Sequence, residues 1–137
     1  MWIYSENINI SISAAILITG GFGALQSAEV FLPWTNTSCK LPSLPDKRVG
    51  HVQSGQLLCG GFDSSTRRSC LRWNKQTGGW TMLPLRLSEG RYGSSAWSHG
   101  DQLVIMGGAS DAGESSETVS SDGAVTSRSF RMKYKTW

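Results

Sequence analysis

Nowhere in these 137 residues do apolar side chains recur at i, i+3 and i+4 across several turns, so the pattern of an amphipathic helix is missing. Aromatic residues are scarce, at 9%, and the apolar set AVILMFWYC reaches only 39%. Basic residues form no long run. They stand as the pairs Lys47-Arg48 and Arg67-Arg68 or alternate at Arg131, Lys133 and Lys135, within a net charge of +3. Such a pattern gives a nucleic-acid partner no electrostatic footing, and solvated loops and strand faces account for the charges.

Other absences narrow the field further. The opening segment, MWIYSENINISISAAILITGG, holds Glu6 and neither Lys nor Arg, and its apolar run ends in glycine. It has no basic n-region before an unbroken apolar stretch, so it reads as neither a secretory signal nor a membrane span. Ile8, Ile10 and Ile12 alternate with Asn and Ser, which makes residues 1–15 an N-terminal strand or leader. No Gly-x-Ser-x-Gly elbow occurs. His51, His99 and the three cysteines show no Cys-x-x-Cys or His-x3-His spacing. The expectation is therefore a non-enzyme with no catalytic residue, no metal site and no cofactor.

What the chain does have is glycine, 16 of them, and three apolar runs that each stop on a glycine pair. These are ILITGG ending at Gly20-Gly21, LLCGG at Gly60-Gly61 and LVIMGG at Gly107-Gly108. The pairs are offset by 40 residues (20 to 60) and 47 residues (60 to 107), which is the scale of an internal repeat. Other features fall into phase. RVGH (48–51) and RYGS (91–94) precede the second and third pairs, and Val30, Leu71 and Val119 follow each pair by about ten residues. Turn residues stand between, at Ser54-Gly55, Gly78-Gly79, Gly100-Asp101 and Asp122-Gly123. Each unit reads as four short strands. One enters at Arg-x-Gly, one is the apolar run, one carries the Val or Leu, and the last holds CKLPSLP, WTMLPL or SFRMKY.

From Ile16 onward this pattern resembles the kelch repeat, in which apolar residues lead into a glycine pair and spaced aromatics follow. The resemblance implies an all-β fold, an incomplete kelch-type β-propeller of about three four-stranded antiparallel blades. It divides the chain into a partial unit at 16–48, a second at 49–90 and a third, truncated, at 91–137. The segment Thr37-Ser38-Cys39 with Leu41-Pro42 also resembles extracellular-looking kelch arrays. WD40 is the rival, through Gly50-His51 and Trp73-Asn74, but Ser94 breaks its second copy. In a propeller the glycine pairs let backbones approach near the axis and take φ > 0, while the apolar runs are buried between blades on both faces. A phosphate-cradling role for Gly20-Gly21-Phe22-Gly23 fails because GALQSAEV leaves no room for the helix such a loop must open.

Propellers close with about four to eight blades. Three units imply either the remainder of a longer propeller or a homodimer of two copies. The resemblance implies protein binding through loops at one end, here Phe22 to Ala28, Phe62 to Ser69 and Ala109 to Glu117, with the connecting segments Pro45 to Arg48 and Ser88 to Arg91. Asp111, Glu114 and Glu117 make one loop acidic. Arg67 and Arg68 make a cationic tip on another, which is expected to be free of packing and available to a partner. A copper radical oxidase is the enzyme alternative, but Tyr4, Tyr92 and Tyr134 stand in no arrangement for its Cys-linked Tyr. A glycan-binding module is the third.

Among the cysteines, Cys59 and Cys70 lie on strands joined by one hairpin and are the expected disulfide pair, with Cα atoms roughly 4.4–6.8 Å apart. Cys39 with Cys70, or a buried free Cys59, stay open alternatives. The triplets Asn9-Ile10-Ser11 and Asn36-Thr37-Ser38 are glycosylation sequons. Together with the cysteines they lean toward an extracellular location.

Overall fold

The computed structural model describes residues 15–99, 102–110, 115–120 and 125–129. Among them the chain is all-β, with no helix. The apolar runs are strands because β-branched and aliphatic residues favour extended backbone, and the glycine pairs end them. In order come β1 (Ile16–Thr19), β2 (Ala28–Leu32), β3 (Thr37–Lys40), β4 (Val52–Ser54), β5 (Leu57–Cys59), β6 (Phe62–Asp63) and β7 (Ser65–Thr66). They are followed by β8 (Ser69–Asn74), β9 (Gly79–Arg86), β10 (Ser95–His99), β11 (Gln102–Met106), β12 (Ser115–Ser120) and β13 (Val125–Ser129).

Every pairing between these strands is antiparallel. The sheets follow chain order as β1-β2-β3, β4-β5-β8-β9 and β10-β11-β12-β13, with a small β6-β7 hairpin on the second. The register repeats as well. Thr19 opposes Ala28, Cys59 opposes Cys70 and Met106 opposes Ser116, each pair closing the hairpin that begins with the two glycines.

Two expectations about strands change. Among the described residues the first sheet shows three strands where four were expected, and the N-terminal strand or leader read from Ile8, Ile10 and Ile12 falls outside them. The last strand of each unit also begins earlier than its sequence suggested. Cys39 and Lys40 end β3, and Leu41–Pro45 is irregular connection whose Leu41 and Leu44 are buried. In the third unit β13 is Val125–Ser129, and SFRMKY lies mostly beyond the described residues.

The core lies between sheets. Leu17, Ala28 and Val30 of the first sheet pack with Trp73 and Trp80 of the second, whose indoles meet edge-on at 5.2 Å. On the opposite face of the second sheet, Val52, Leu57, Cys59 and Cys70 meet Leu103 and Ile105 of the third. Burial of the apolar runs on both faces therefore holds for the middle sheet alone. Ile16 and Ile18 of β1 remain 51% and 44% exposed, because alternate strand residues point away from the single neighbouring sheet. Trp97 and Met106 are exposed in the same way on the third sheet. Near the other edge β4 and β10 run side by side, with the Ser54 and Ser98 hydroxyls hydrogen-bonded across the gap.

The glycine pairs meet two demands at once. Gly20 and Gly60 have φ of +58° and +72°, and a Cβ on either would stand 2.7 Å from a carbonyl oxygen, of Arg48 or Arg91 respectively. Each carbonyl belongs to the Arg-x-Gly segment that leads into the next sheet. No other residue type satisfies both the left-handed backbone and that approach.

Candidate functional site

The carbonyls that press on the glycines belong to the two most deeply buried charged residues in the described chain. Arg48 and Arg91 are 0% and 1% exposed. The Arg48 carbonyl accepts from the Gly21 N–H of the preceding sheet (3.3 Å), while its Nη1 donates forward to the carbonyls of Gly60 (2.7 Å) and Ser69 (2.9 Å). Its Nε and Nη2 grip Asp46 at 2.6 and 2.8 Å, a bidentate pair that balances the buried charge. Arg91 repeats the bracket one unit later. Its carbonyl accepts from the Gly61 N–H (2.8 Å), its Nη1 donates to the Gly107 carbonyl (2.8 Å), and Glu89 takes the place of Asp46 at 3.8 Å. Each arginine thus ties the glycine pair behind it to the pair ahead.

His51 follows Arg48 into the same seam. Gln53 Nε2 donates to the Leu17 carbonyl (2.8 Å), which leaves its Oε1 to accept the Thr19 hydroxyl at 2.6 Å. The remaining contact, His51 Nε2 to Thr19 Oγ1 at 2.8 Å, must then be donated by the imidazole. Burial, aided by the Arg48 guanidinium, lowers the His51 pKa from 6.5 to about 4, so the ring is neutral at physiological pH. A threonine whose proton already goes to Gln53, beside an imidazole acting as donor, is not arranged for base catalysis. The trio joins the first sheet to the second.

Arg48 and Arg91 sit at the end of the sheets where the hairpin loops after the glycine pairs emerge. Arg48 N–H donates to the Leu25 carbonyl (2.9 Å) and Arg91 N–H to the Arg67 carbonyl (3.3 Å), so connecting segments and loops interlock there. This alters the reading of the cationic tip. Arg67 Nε donates to the Lys47 carbonyl (3.0 Å), and its guanidinium lies 3.5 Å from both Asp46 and Asp63. Arg68 Nε donates to the Leu87 carbonyl (2.8 Å). The two side chains were expected to be free of packing; instead they clamp the loop onto the connecting segments on either side.

The loop itself is closed by a Cys59–Cys70 disulfide, with Cα atoms 4.2 Å apart. The two residues face each other directly in an antiparallel ladder, where non-hydrogen-bonded pairs approach to about 4.5 Å, so the distance falls just under the expected range. Cys39 is a free, partly buried thiol on β3. Among the described residues at this end, the turn after Gly20-Gly21 stays open. Phe22 is 95% exposed there, at the rim of a cavity of about 740 Å³ lined by Leu25, Gln26, Glu29, Lys40 and Lys47 among others. Of the acidic loop, Asp111 and Glu114 fall outside the described residues, as does Asn9; Asn36 is exposed at the β2–β3 turn. Among the described residues no three His, Cys, Asp or Glu side chains group to hold a metal ion, and no helix is long and apolar enough to cross a membrane.

Set against known proteins, the chain matches no protein-family model and no curated protein. Arg48, read from the sequence with Lys47 as a solvated charge, is instead buried, because Asp46 and the carbonyls of Gly60 and Ser69 replace solvent around its guanidinium, and Arg91 is buried in the same way. A signal was present: an acid stands two residues before each, in Asp46-Lys47-Arg48 and Glu89-Gly90-Arg91.

Proposed function

We propose that this chain supplies consecutive blades of a kelch-type β-propeller that acts as a non-catalytic scaffold, binding another protein at its loop end. The observation that carries the reading is the repeated bracket, glycine pair to arginine to glycine pair, which joins each sheet to the next by the same bonds. Sheets stacked face to face in chain order, with β4 beside β10, support a radial arrangement. The outward faces at Ile16 and Ile18 and at Trp97 and Met106 are where further blades, or a second copy, would seat.

Because Arg67 and Arg68 are engaged in the fold, the partner's contact moves to the Phe22 turn. An exposed aromatic at the rim of a cavity is the kind of side chain that anchors an interface. The test is cross-linked affinity capture with wild type, Phe22→Ala combined with Lys47→Ala, and Trp34→Ala at the opposite end of the first sheet. The partner held by wild type is expected to be lost from the double variant and kept by Trp34→Ala. Equal capture by all three would end the assignment.

A further inference from the structure

We infer that Asn36 carries an N-linked glycan. The triplet Asn36-Thr37-Ser38 has the acceptor pattern, and the structure puts it at the tip of the β2–β3 hairpin. The turn is built by Thr35 N–H on the Leu32 carbonyl (3.3 Å) and Asn36 N–H on the Pro33 carbonyl (3.4 Å). Asn36 takes φ +52°, a left-handed conformation that asparagine tolerates better than most residues. The residue is exposed, and no described side chain holds its amide. An acceptor here adds bulk to solvent without displacing any packed group.

The second observation comes from elsewhere in the molecule. Cys59 and Cys70 are joined by a disulfide and both are 0% exposed, so the bridge belongs to the folded core. Structural disulfides of this kind form and persist in the secretory route and outside the cell. In eukaryotes that is the compartment in which sequons meet the oligosaccharide transferase. The reaction balances with a lipid-linked oligosaccharide as donor. Asn36 Nδ2 forms a bond to C1 of the first sugar, the bond from C1 to the lipid phosphate breaks, the phosphate leaves with the electron pair, and one amide proton passes to a base of the transferase.

The neighbouring Trp34 supplies a reason for the glycan to matter once attached. It is 50% exposed on the same turn, two residues before the acceptor. A half-exposed indole this close in the chain provides an apolar surface on which the C–H side of the first sugar can pack. The turn lies at the end of the sheet opposite Phe22, so a glycan there leaves the proposed partner-binding end clear.

The experiment expresses the full chain behind a secretory leader in eukaryotic cells. Chymotrypsin cuts after Trp34 but not before Pro42 or Pro45, so the peptide from Thr35 to Leu57 carries this sequon apart from the one at Asn9. The expected result is a glycan on that peptide, removed by peptide N-glycosidase with conversion of Asn36 to Asp, and absent from both Asn36→Gln and Ser38→Ala. Trp34→Ala should keep the glycan but lose the rise in melting temperature that glycosylated wild type shows over the enzymatically stripped protein. An unmodified Asn36 in chains whose Cys59–Cys70 bridge is intact overturns the inference, as does a glycan confined to Asn9. Equal melting of the wild-type glycosylated and stripped forms would overturn the part assigned to Trp34.

Discussion

Arg48 is fully buried, and its replacement has a calculable consequence. Removing the guanidinium strands the Gly60 carbonyl, leaves the Ser69 carbonyl with the Gly60 N–H at 3.2 Å, and leaves Asp46 with only the Arg67 contact at 3.5 Å. Breaking a buried charged pair from one side costs about 3–5 kcal/mol, and the residual Arg67 contact places Arg48→Met toward the lower end. Arg48→Lys keeps the charge but loses the fork, so it should fall between wild type and Met. Urea unfolding followed by tryptophan fluorescence reads this directly; a Met variant with the wild-type midpoint would discard the bracket as a source of stability. His51 makes the same seam sensitive to acid. Its folded pKa of about 4 lies below the ordinary 6.5, so between those values the unfolded chain binds more protons than the native one. Stability is therefore complete above about pH 6.5 and declines as pH falls toward 4. Denaturant midpoints measured across that window should decline for wild type, and more shallowly for His51→Gln. Identical slopes would assign the acid sensitivity to the carboxylates instead.

At the scale of the element, the hairpin from β5 to β8 combines a covalent tie with two polar ones. The Cys59–Cys70 bridge spans a sequence separation of 11 residues, for which loop-closure entropy gives about 3 kcal/mol. Thiol titration of the native protein should find one reactive group, Cys39, and reduction under unfolding conditions should find all 3 cysteines. Two or more thiols in the native, unreduced protein would contradict the pairing. Arg67 and Arg68 pin the same loop, so the double alanine variant should lose about 0.5–1.5 kcal/mol per bond, a change of midpoint that thermal unfolding resolves. These residues also show what could be read in advance. The glycine pairs were legible because a steric demand repeated in the backbone forces the same residue at each copy. The cross-strand cysteines were legible because hairpin neighbours follow from strand order. The arginine contacts were not, since their acceptors are main-chain carbonyls, of Gly60, Ser69, Lys47 and Leu87, and a carbonyl leaves no mark in the sequence. Two adjacent arginines after a glycine pair look alike whether they point to solvent or clamp a loop. The Phe22 turn was legible as a loop, but the cavity beside it depends on Lys40 and Lys47, which the chain brings there from the end of β3 and the connecting segment.

For the molecule as a whole, the sheets stack with one sense throughout. The face carrying Leu17 and Ala28 meets the second sheet, and the equivalent face, carrying Leu57 and Cys70, meets the third. Continuing that sense, the face of the third sheet with Val104, Met106 and Trp97 is the one a next sheet would cover. The face of the first sheet with Ile16 and Ile18 is the one a previous sheet would cover. The space over Gly107 fits this order: no described atom lies within 4 Å of a Cβ built there, whereas at Gly20 and Gly60 the carbonyl of Arg48 or Arg91 fills that place. If the stack continues in that sense, the two half-apolar faces of successive copies meet, and contacts that repeat head to tail close a ring or run on as a chain. The 137-residue chain alone should therefore self-associate with rising concentration, which sedimentation velocity measures. Ile18→Lys and Met106→Lys each place a charge in one of the two faces while leaving the internal seams intact. Either should shift the distribution toward monomer at unchanged secondary structure. If Trp97 and Met106 are solvated faces with no neighbour to meet, wild type and both variants will sediment alike as monomers at every concentration, and the continuation of the stack would have to be abandoned.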